Sequence, residues 1–356
     1  MKDLLQALLS TSTPDASLLA KLLATRGDES VQLSAAANAC MVENVGNDVY
    51  FRGLMEVSNR CVHNCYYCGI RKDATVARYQ VSEDEILLAA RECDELGFGS
   101  MVLQSGELPS DKYVDFIARG VERIKKETCS ERLPAGLGIT LSIGVLSKAQ
   151  YQRLFDAGAH RYLLRIETSN DALFASLHPP EQSLAGRYNA IETLRSIGFQ
   201  TGTGVMIGLP GQTLEMLAED ILTFQRLDID MVGMGPFLPS VSTPMANADI
   251  LPAMERFQLG LNMIALTRLV CRDINIASTT ALEGLHPEGR LKGLQYGANV
   301  AMPNLTPIDK RIHYKLYDNK PMTQSVHQAV AAIERIGRSV ALNEFGDSRH
   351  FFHRNH

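Results

Sequence analysis

Between residues 49 and 322 the chain alternates short apolar runs with amphipathic stretches eight times, and this alternation limits its fold more than any other feature. The apolar runs fall at 53–57, 100–103, 138–141, 161–166, 200–206, 230–234, 274–277 and 298–302. Such runs suit strands buried on both faces, and strands separated by helices pair in parallel through crossover connections. Eight units are what a closed (β/α)8 barrel of the TIM type requires, so an α/β fold of that architecture is expected. A barrel takes about 250 residues. The 356-residue chain leaves additions at both ends. Ser82, with Glu85 three residues on, opens one helix as a capping box that Gly97 ends; Thr213 opens another that reaches about Arg226.

Residues 1–48 are read as an N-terminal helical cap, with apolar residues at helical spacing in 17–24 and 32–42. The barrel is assigned to 49–322, and 323–356 to a C-terminal helix over 323–336 with a polar tail. His350, His353 and His356 recur every third residue in that tail with no evident helix or acidic partner to gather them, so a mobile end is expected.

A formal net charge of −5, with Lys and Arg scattered, gives no footprint for nucleic acid; a small polar substrate or a protein partner is expected instead. The first ten residues carry a short apolar stripe but an early acid, Asp3, and no cleavage pattern. They read as an amphipathic helix, not a signal peptide. No run reaches the apolar length of a membrane span. Of the seven cysteines, Cys40, Cys93, Cys129 and Cys271 are isolated and read as packing or surface thiols. No disulfide framework is indicated, and a reducing, cytoplasmic setting is expected.

The other three, Cys61, Cys65 and Cys68, form a C-x3-C-x2-C loop directly after the first apolar run. Three closely spaced thiolates are one ligand short of a closed metal site, whereas the usual zinc spacings supply the fourth. Reacting groups of a barrel lie where its strands end, and polar residues follow the runs there: 104–107, Ser142, 206–213, 233–237 and 278–280. In the fourth run Arg161, Leu163, Arg165 and Glu167 alternate onto one face. Inward charges of this kind mark either a binding site or a satisfied internal ion pair. The turn 208–211 has glycines at neither dinucleotide-binding nor Walker spacing. Met206, Met231 and Met234 read as core filler.

The cysteine loop, with the aromatic Tyr67 immediately before its third cysteine, resembles that of the radical S-adenosylmethionine (SAM) superfamily. The resemblance implies one [4Fe–4S] cluster held by Cys61, Cys65 and Cys68, its fourth iron open to the amino and carboxylate groups of SAM, which the reduced cluster cleaves to a 5′-deoxyadenosyl radical. It also implies that Ser105, Gly106 and Glu107 lie at the SAM amino group, that Glu167 suits the ribose hydroxyls and Arg187 the SAM carboxylate, and that the turn at Ile207 contacts adenine.

Within the superfamily, segments 102–107, 161–168, 204–213, 230–237 and 297–304 resemble the HydE family of [FeFe]-hydrogenase maturases. That likeness implies a role in building the diiron subcluster of the H-cluster, the radical acting on a cysteine-ligated iron precursor that carries CO and cyanide. Arg52 and Arg165 are then the candidates to hold the precursor's carboxylate, and Thr279, Thr280 and Tyr314 to line the cavity. An external electron donor and other hydrogenase maturases are the implied partners. Some relatives carry three further C-terminal cysteines for an accessory cluster; here only Cys271 lies beyond Cys129. Methylornithine synthase and biotin synthase share the barrel and loop and stand as alternative readings, as does a non-catalytic iron–sulfur scaffold.

Overall fold

The computed structural model describes residues 1–318 and 325–355. The boundary placed at 322/323, the first residues of the helix expected from 323, and His356 lie outside them. In chain order the strands are β1 (Asp48–Ser58), β2 (Ser100–Ser105), β3 (Gly138–Ser142), β4 (Arg161–Leu163), β5 (Gln200–Thr203), β6 (Met206–Ile207), β7 (Met231–Val232), β8 (Gly235–Pro236), β9 (Asn275–Ile276), β10 (Val300–Ala301) and β11 (Ser339–Ala341). Each expected run overlaps a strand. Eight of them form one all-parallel path, β10-β1-β2-β3-β4-β5-β7-β9. A parallel bridge between Ala277 and Val300 joins the two ends of that path, with Ser278 N donating to Val300 O and Asn299 N to Ile276 O, both at 2.9 Å. The sheet therefore closes on itself as a barrel. Strands β6 and β8 pair with each other beyond the ends of β5 and β7 and extend that side of the rim.

Local sequence explains the crossover helices. Ser82 accepts from Glu85 N, and the Glu85 side chain accepts from Ser82 N at 2.7 Å, completing the capping box ahead of helix Glu83–Glu95. Thr213 likewise caps Leu214–Arg226. The N-terminal helices Ala16–Leu23 and Asp28–Asn44 cover the flank formed by Leu214–Arg226 and Ala253–Val270. Ala253–Val270 is consequently buried nearly all round, which is why it lacks a polar face. No helix among the described residues is long and apolar enough to cross a membrane.

Because all barrel strands run the same way, their first residues gather at one end and their last at the other. The first end is closed by the C-terminal segment, whose polar tail, expected to be a mobile end, is packed against the barrel. Helix Val326–Arg335 leads to β11, which pairs with β1. The chain then crosses beneath the barrel. Phe345 O accepts from Ser100 Oγ (2.6 Å) and Arg161 Nη1 (2.9 Å), and Gly346 O from Arg52 Nη2 (2.9 Å) and Asn275 Nδ2 (2.8 Å). Asp347 lies 2.5 Å from Arg161 and 3.1 Å from His160. Gly346 holds φ +62°, and a Cβ there would stand 2.5 Å from the Tyr50 ring, so the crossing tolerates no side chain at this point.

Helix Arg349–Asn355 then docks through its polar face, so the histidine periodicity has a structural use. His350 Nδ1 meets Asp273 at 3.1 Å and its Nε2 meets Asp228 at 2.7 Å; His353 also meets Asp273, at 2.8 Å. Arg354 reaches Asp228 and the buried Asp230. Hydrogen bonding to Asp273, against some burial, raises the His350 pKa to about 9. A folded-state pKa above the unfolded value near 6.5 means that this docking is fully stabilised below pH ~6.5 and weakens as pH rises through ~9. Amide exchange in residues 349–355 should accelerate between those pH values beyond the intrinsic base-catalysed rate. His350→Gln should exchange rapidly throughout the range.

Candidate active site

The loop after β1 is fixed by buried polar groups, not by regular secondary structure. Asn59 is fully buried, and its carboxamide nitrogen donates to the carbonyls of Ala77 and His313, each at 2.8 Å. Arg78 gathers the carbonyls of Asn59, Ile70, Arg71, Lys72 and Ala74 around one guanidinium. Gly106, at the exit of β2, lets that strand rest on the loop: a Cβ there would lie 2.3 Å from Arg60 O and 2.8 Å from the Cβ of Cys61.

Cys61, Cys65 and Cys68 are free thiols within electrostatic reach of one another. Burial raises the pKa of each; a backbone N–H from His63 opposes this at Cys61 and the Gln182 amide opposes it at Cys65, while Cys68 is raised most strongly. Thiols so placed stay protonated until a cation turns them into thiolate ligands. Among the described residues no three His, Cys, Asp or Glu side chains gather closely enough for a single metal ion. Three thiols on one loop, at the mouth of a cavity, suit a multi-iron cluster in which each thiolate takes its own iron.

A cavity of about 320 Å³ opens at the strands' C-terminal ends. Cys61, Tyr67 and Cys68 line it from the loop, Ser105 and Gly106 from the exit of β2, and Arg165 and Glu167 from the exit of β4. Thr279, Thr280 and Tyr314 also line it. A smaller adjoining cavity of about 130 Å³ shares Cys61, Ser105 and Arg165 and adds Cys65, Glu107 and Arg187.

The β4 exit carries backbone strain. Glu167 holds φ +65°, a region that residues with side chains seldom adopt, and its N–H donates to Gly204 O at 3.0 Å while its carbonyl accepts from Met206 N at 3.0 Å. Its carboxylate accepts from Arg165 Nε and Nη2 at 2.9–3.1 Å. Arg165 also donates to Gly233 O (2.7 Å) and Val205 O (2.9 Å). Burial disfavours the Arg165 charge, but Glu167 outweighs it and the pKa is raised. The inward charges thus form an internal pair that borders the cavity.

Next to the loop, His63 Nε2 lies 2.8 Å from Glu107 Oε1, and Arg187 Nη2 lies 3.7 Å from Glu107 Oε2. Burial works to raise the Glu107 pKa; the hydrogen bond from His63 and the charge of Arg187 overcome it and hold the carboxylate below its usual range. Tyr67 is oriented by His178. The imidazole pKa falls to about 4 through burial, so the ring is neutral at neutral pH. Its Nδ1 donates to Phe174 O at 2.9 Å, leaving Nε2 to accept from the Tyr67 hydroxyl at 3.3 Å.

Two residues named from sequence lie elsewhere. Arg52 sits in the first half of β1, in the layer that holds the C-terminal crossing; its guanidinium meets Gly346 O and the Met231 sulfur and does not line either cavity. Ile207 is buried in the core with its carbonyl accepting from Phe237 N at 2.8 Å. Its neighbour Met206, read as filler, lines the cavity instead. Thr279 donates to Met234 O (3.0 Å), and Thr280 and Tyr317 share a 2.9 Å hydroxyl contact. Sequence reasoning missed Glu56, although it lies within the first run, and Tyr317, His178 and Gln182, which belong to no periodic pattern or spaced motif.

Residues 55–224 match the Radical SAM superfamily. The chain is 41% identical over 314 residues to the [FeFe] hydrogenase maturase subunit HydE of Thermotoga maritima, covering 86% of each protein. The chain belongs to the HydE family of radical SAM enzymes. Family membership brings with it an iron–sulfur cluster and SAM as cofactors. The 3-methylornithine synthase of Methanosarcina acetivorans is more distant, 27% identical over 277 residues that cover 75% of this chain and 72% of that protein. Among solved structures, methylornithine synthase (PylB) matches with a TM-score of 0.80 over 96% of this chain and 98% of that chain at 22% identity. The maturase HydG from Carboxydothermus hydrogenoformans matches with a TM-score of 0.81 over 98% and 82% at 19% identity. At those identities the two structures show that this HydE-family chain shares their barrel.

Proposed function

We propose that this enzyme acts in H-cluster maturation, and that its substrate is a cysteine-ligated iron complex bearing CO and cyanide. The observation that carries the reading is the 41% identity to HydE across 86% of both chains. In this reading Cys61, Cys65 and Cys68 hold the [4Fe–4S] cluster, and SAM lies among Tyr67, Ser105, Gly106, Glu107, Glu167 and Arg187. When bound, these cofactors supply a 5′-deoxyadenosyl radical on one-electron reduction by an external donor.

The chain's own residues then hold and orient. His178 fixes the Tyr67 hydroxyl, and the Glu167 carboxylate, whose two oxygens both accept from Arg165, offers its remaining lone pairs to ribose hydroxyls. Arg165 is the cation that meets the substrate carboxylate; Arg52 is withdrawn from that role because it serves the far end of the barrel. Thr279, Thr280 and Tyr314 shape the remaining space. Other hydrogenase maturases are the partners this reading implies.

Reconstituted protein supplied with the precursor should restore hydrogenase activity in an extract that lacks its own HydE. Failure to do so, with conversion of lysine to methylornithine, would replace the maturase reading. Glu167→Ala should weaken SAM affinity by about tenfold, as expected for a lost charged hydrogen bond, while the iron content stays at the wild-type level. Unchanged affinity would move the cofactor site away from the β4 exit.

A further inference from the structure

Gln182 is not part of the cysteine motif, yet its carboxamide Nε2 donates to Cys65 Sγ at 3.2 Å. The orientation of the amide is decided by its other end. Arg187 can only donate, and its Nη2 lies 2.9 Å from Gln182 Oε1, so the nitrogen must face the sulfur. Arg187 is drawn in turn toward Glu107, and Glu107 is held by His63. The result is a chain of contacts that leaves the cysteine loop at His63 and returns to it at Cys65. Its members come from the loop, the exit of β2 and the start of helix Leu184–Ile197, whose N-cap Ser183 directly follows Gln182.

From this arrangement we infer that Gln182 is a positioning residue that makes the cluster on Cys61, Cys65 and Cys68 easier to reduce; the inference rests on the ligand assignment above. Reduction adds one electron and no proton to the cluster, and part of that negative charge spreads onto the cysteine sulfurs. A donor N–H aimed at one of them favours the reduced form. The guanidinium on the amide oxygen polarises the same group and strengthens its donation. Electron delivery is the step on which all radical formation depends, so Gln182 acts on turnover without touching SAM or substrate.

The test is a potentiometric titration followed by electron paramagnetic resonance, on reconstituted wild type, Gln182→Leu and Gln182→Glu without SAM. Gln182→Leu removes the donor and the Arg187 contact without changing the charge, whereas Gln182→Glu keeps the length and the Arg187 contact but replaces the N–H by a carboxylate oxygen and adds a negative charge. Gln182→Leu should lower the reduced-to-oxidised ratio at a fixed potential by about tenfold, which is 59 mV in midpoint for one electron, and Gln182→Glu should lower it further. A wild-type midpoint in Gln182→Leu, with a full cluster, would overturn the inference and leave Gln182 as a mere prop for Arg187. Loss of the cluster from both variants in folded protein would overturn it in the same way. Absence of a cluster from the wild type would instead sink the ligand assignment, and the inference with it.

Discussion

Replacing any one of Cys61, Cys65 or Cys68 by alanine is expected to abolish the cluster and, with it, all SAM cleavage. Each of the three thiols is the proposed ligand of one iron, and the loop carries no further cysteine to take its place. With two ligands left, an iron loses its only protein attachment and the cluster has no fourth cysteine to recruit. The loop itself should survive, because Asn59 and Arg78 hold its backbone independently of the sulfurs. Iron and sulfide analysis after anaerobic reconstitution should therefore read near zero in protein with wild-type circular dichroism. Cys93→Ala is the control: its thiol is buried in the barrel wall and donates to Ser100 O at 3.3 Å, so that variant should retain full iron. Full iron in any variant of the three loop cysteines would remove that residue from the ligand set.

The largest effect on stability is expected from Asp347→Ala. Arg161 is entirely buried, and Asp347 is the carboxylate beside it at 2.5 Å; Ser100, Thr140 and Phe345 supply only neutral acceptors. Removing one partner of a buried pair leaves the other charge uncompensated, at a cost of about 3–5 kcal/mol. In a chain of this size that corresponds to a fall in Tm of roughly 4–7 °C. Burial opposes the Asp347 charge, but His160 and Arg161 prevail and hold its pKa below the usual carboxylate range. A depressed folded-state pKa contributes stability that is complete above the unfolded value near 3.9 and is lost as pH falls below it. Thermal melts should show that acid dependence in the wild type and a shallower one in Asp347→Ala. A variant within about 1 kcal/mol of wild type, the scale of an exposed pair, would mean that the C-terminal crossing does not close the barrel in solution.

The sequence reached different distances into the fold and the site. The cysteine loop was legible because ligand spacing is a local property. The eight strands were legible because a parallel strand buried on both faces must be apolar throughout. Their lengths were less so: β4 ends at Leu163 and the left-handed Glu167 follows the fourth run, while the fifth run breaks between β5 and β6, and the apolar pattern marks neither change. Alternation placed Arg161 and Arg165 on the inward face of one strand, yet one holds the C-terminal segment and the other borders the cavity. Period two identifies a face; it carries no information on height along the barrel axis.

By itself, then, the sequence determined the barrel, the cysteine loop and the family, each read from short local patterns or their repetition along the chain. Tertiary structure alone decided that Arg52 belongs to the closed end, that the polar C-terminal segment docks, and that His63, Glu107, Arg187 and Gln182 form one chain of contacts. The reason is the same in each case. Apart from the Gln182–Arg187 pair, these are pairings of single polar groups 44 to 294 residues apart in the chain, and a charge in a sequence does not reveal which distant partner compensates it.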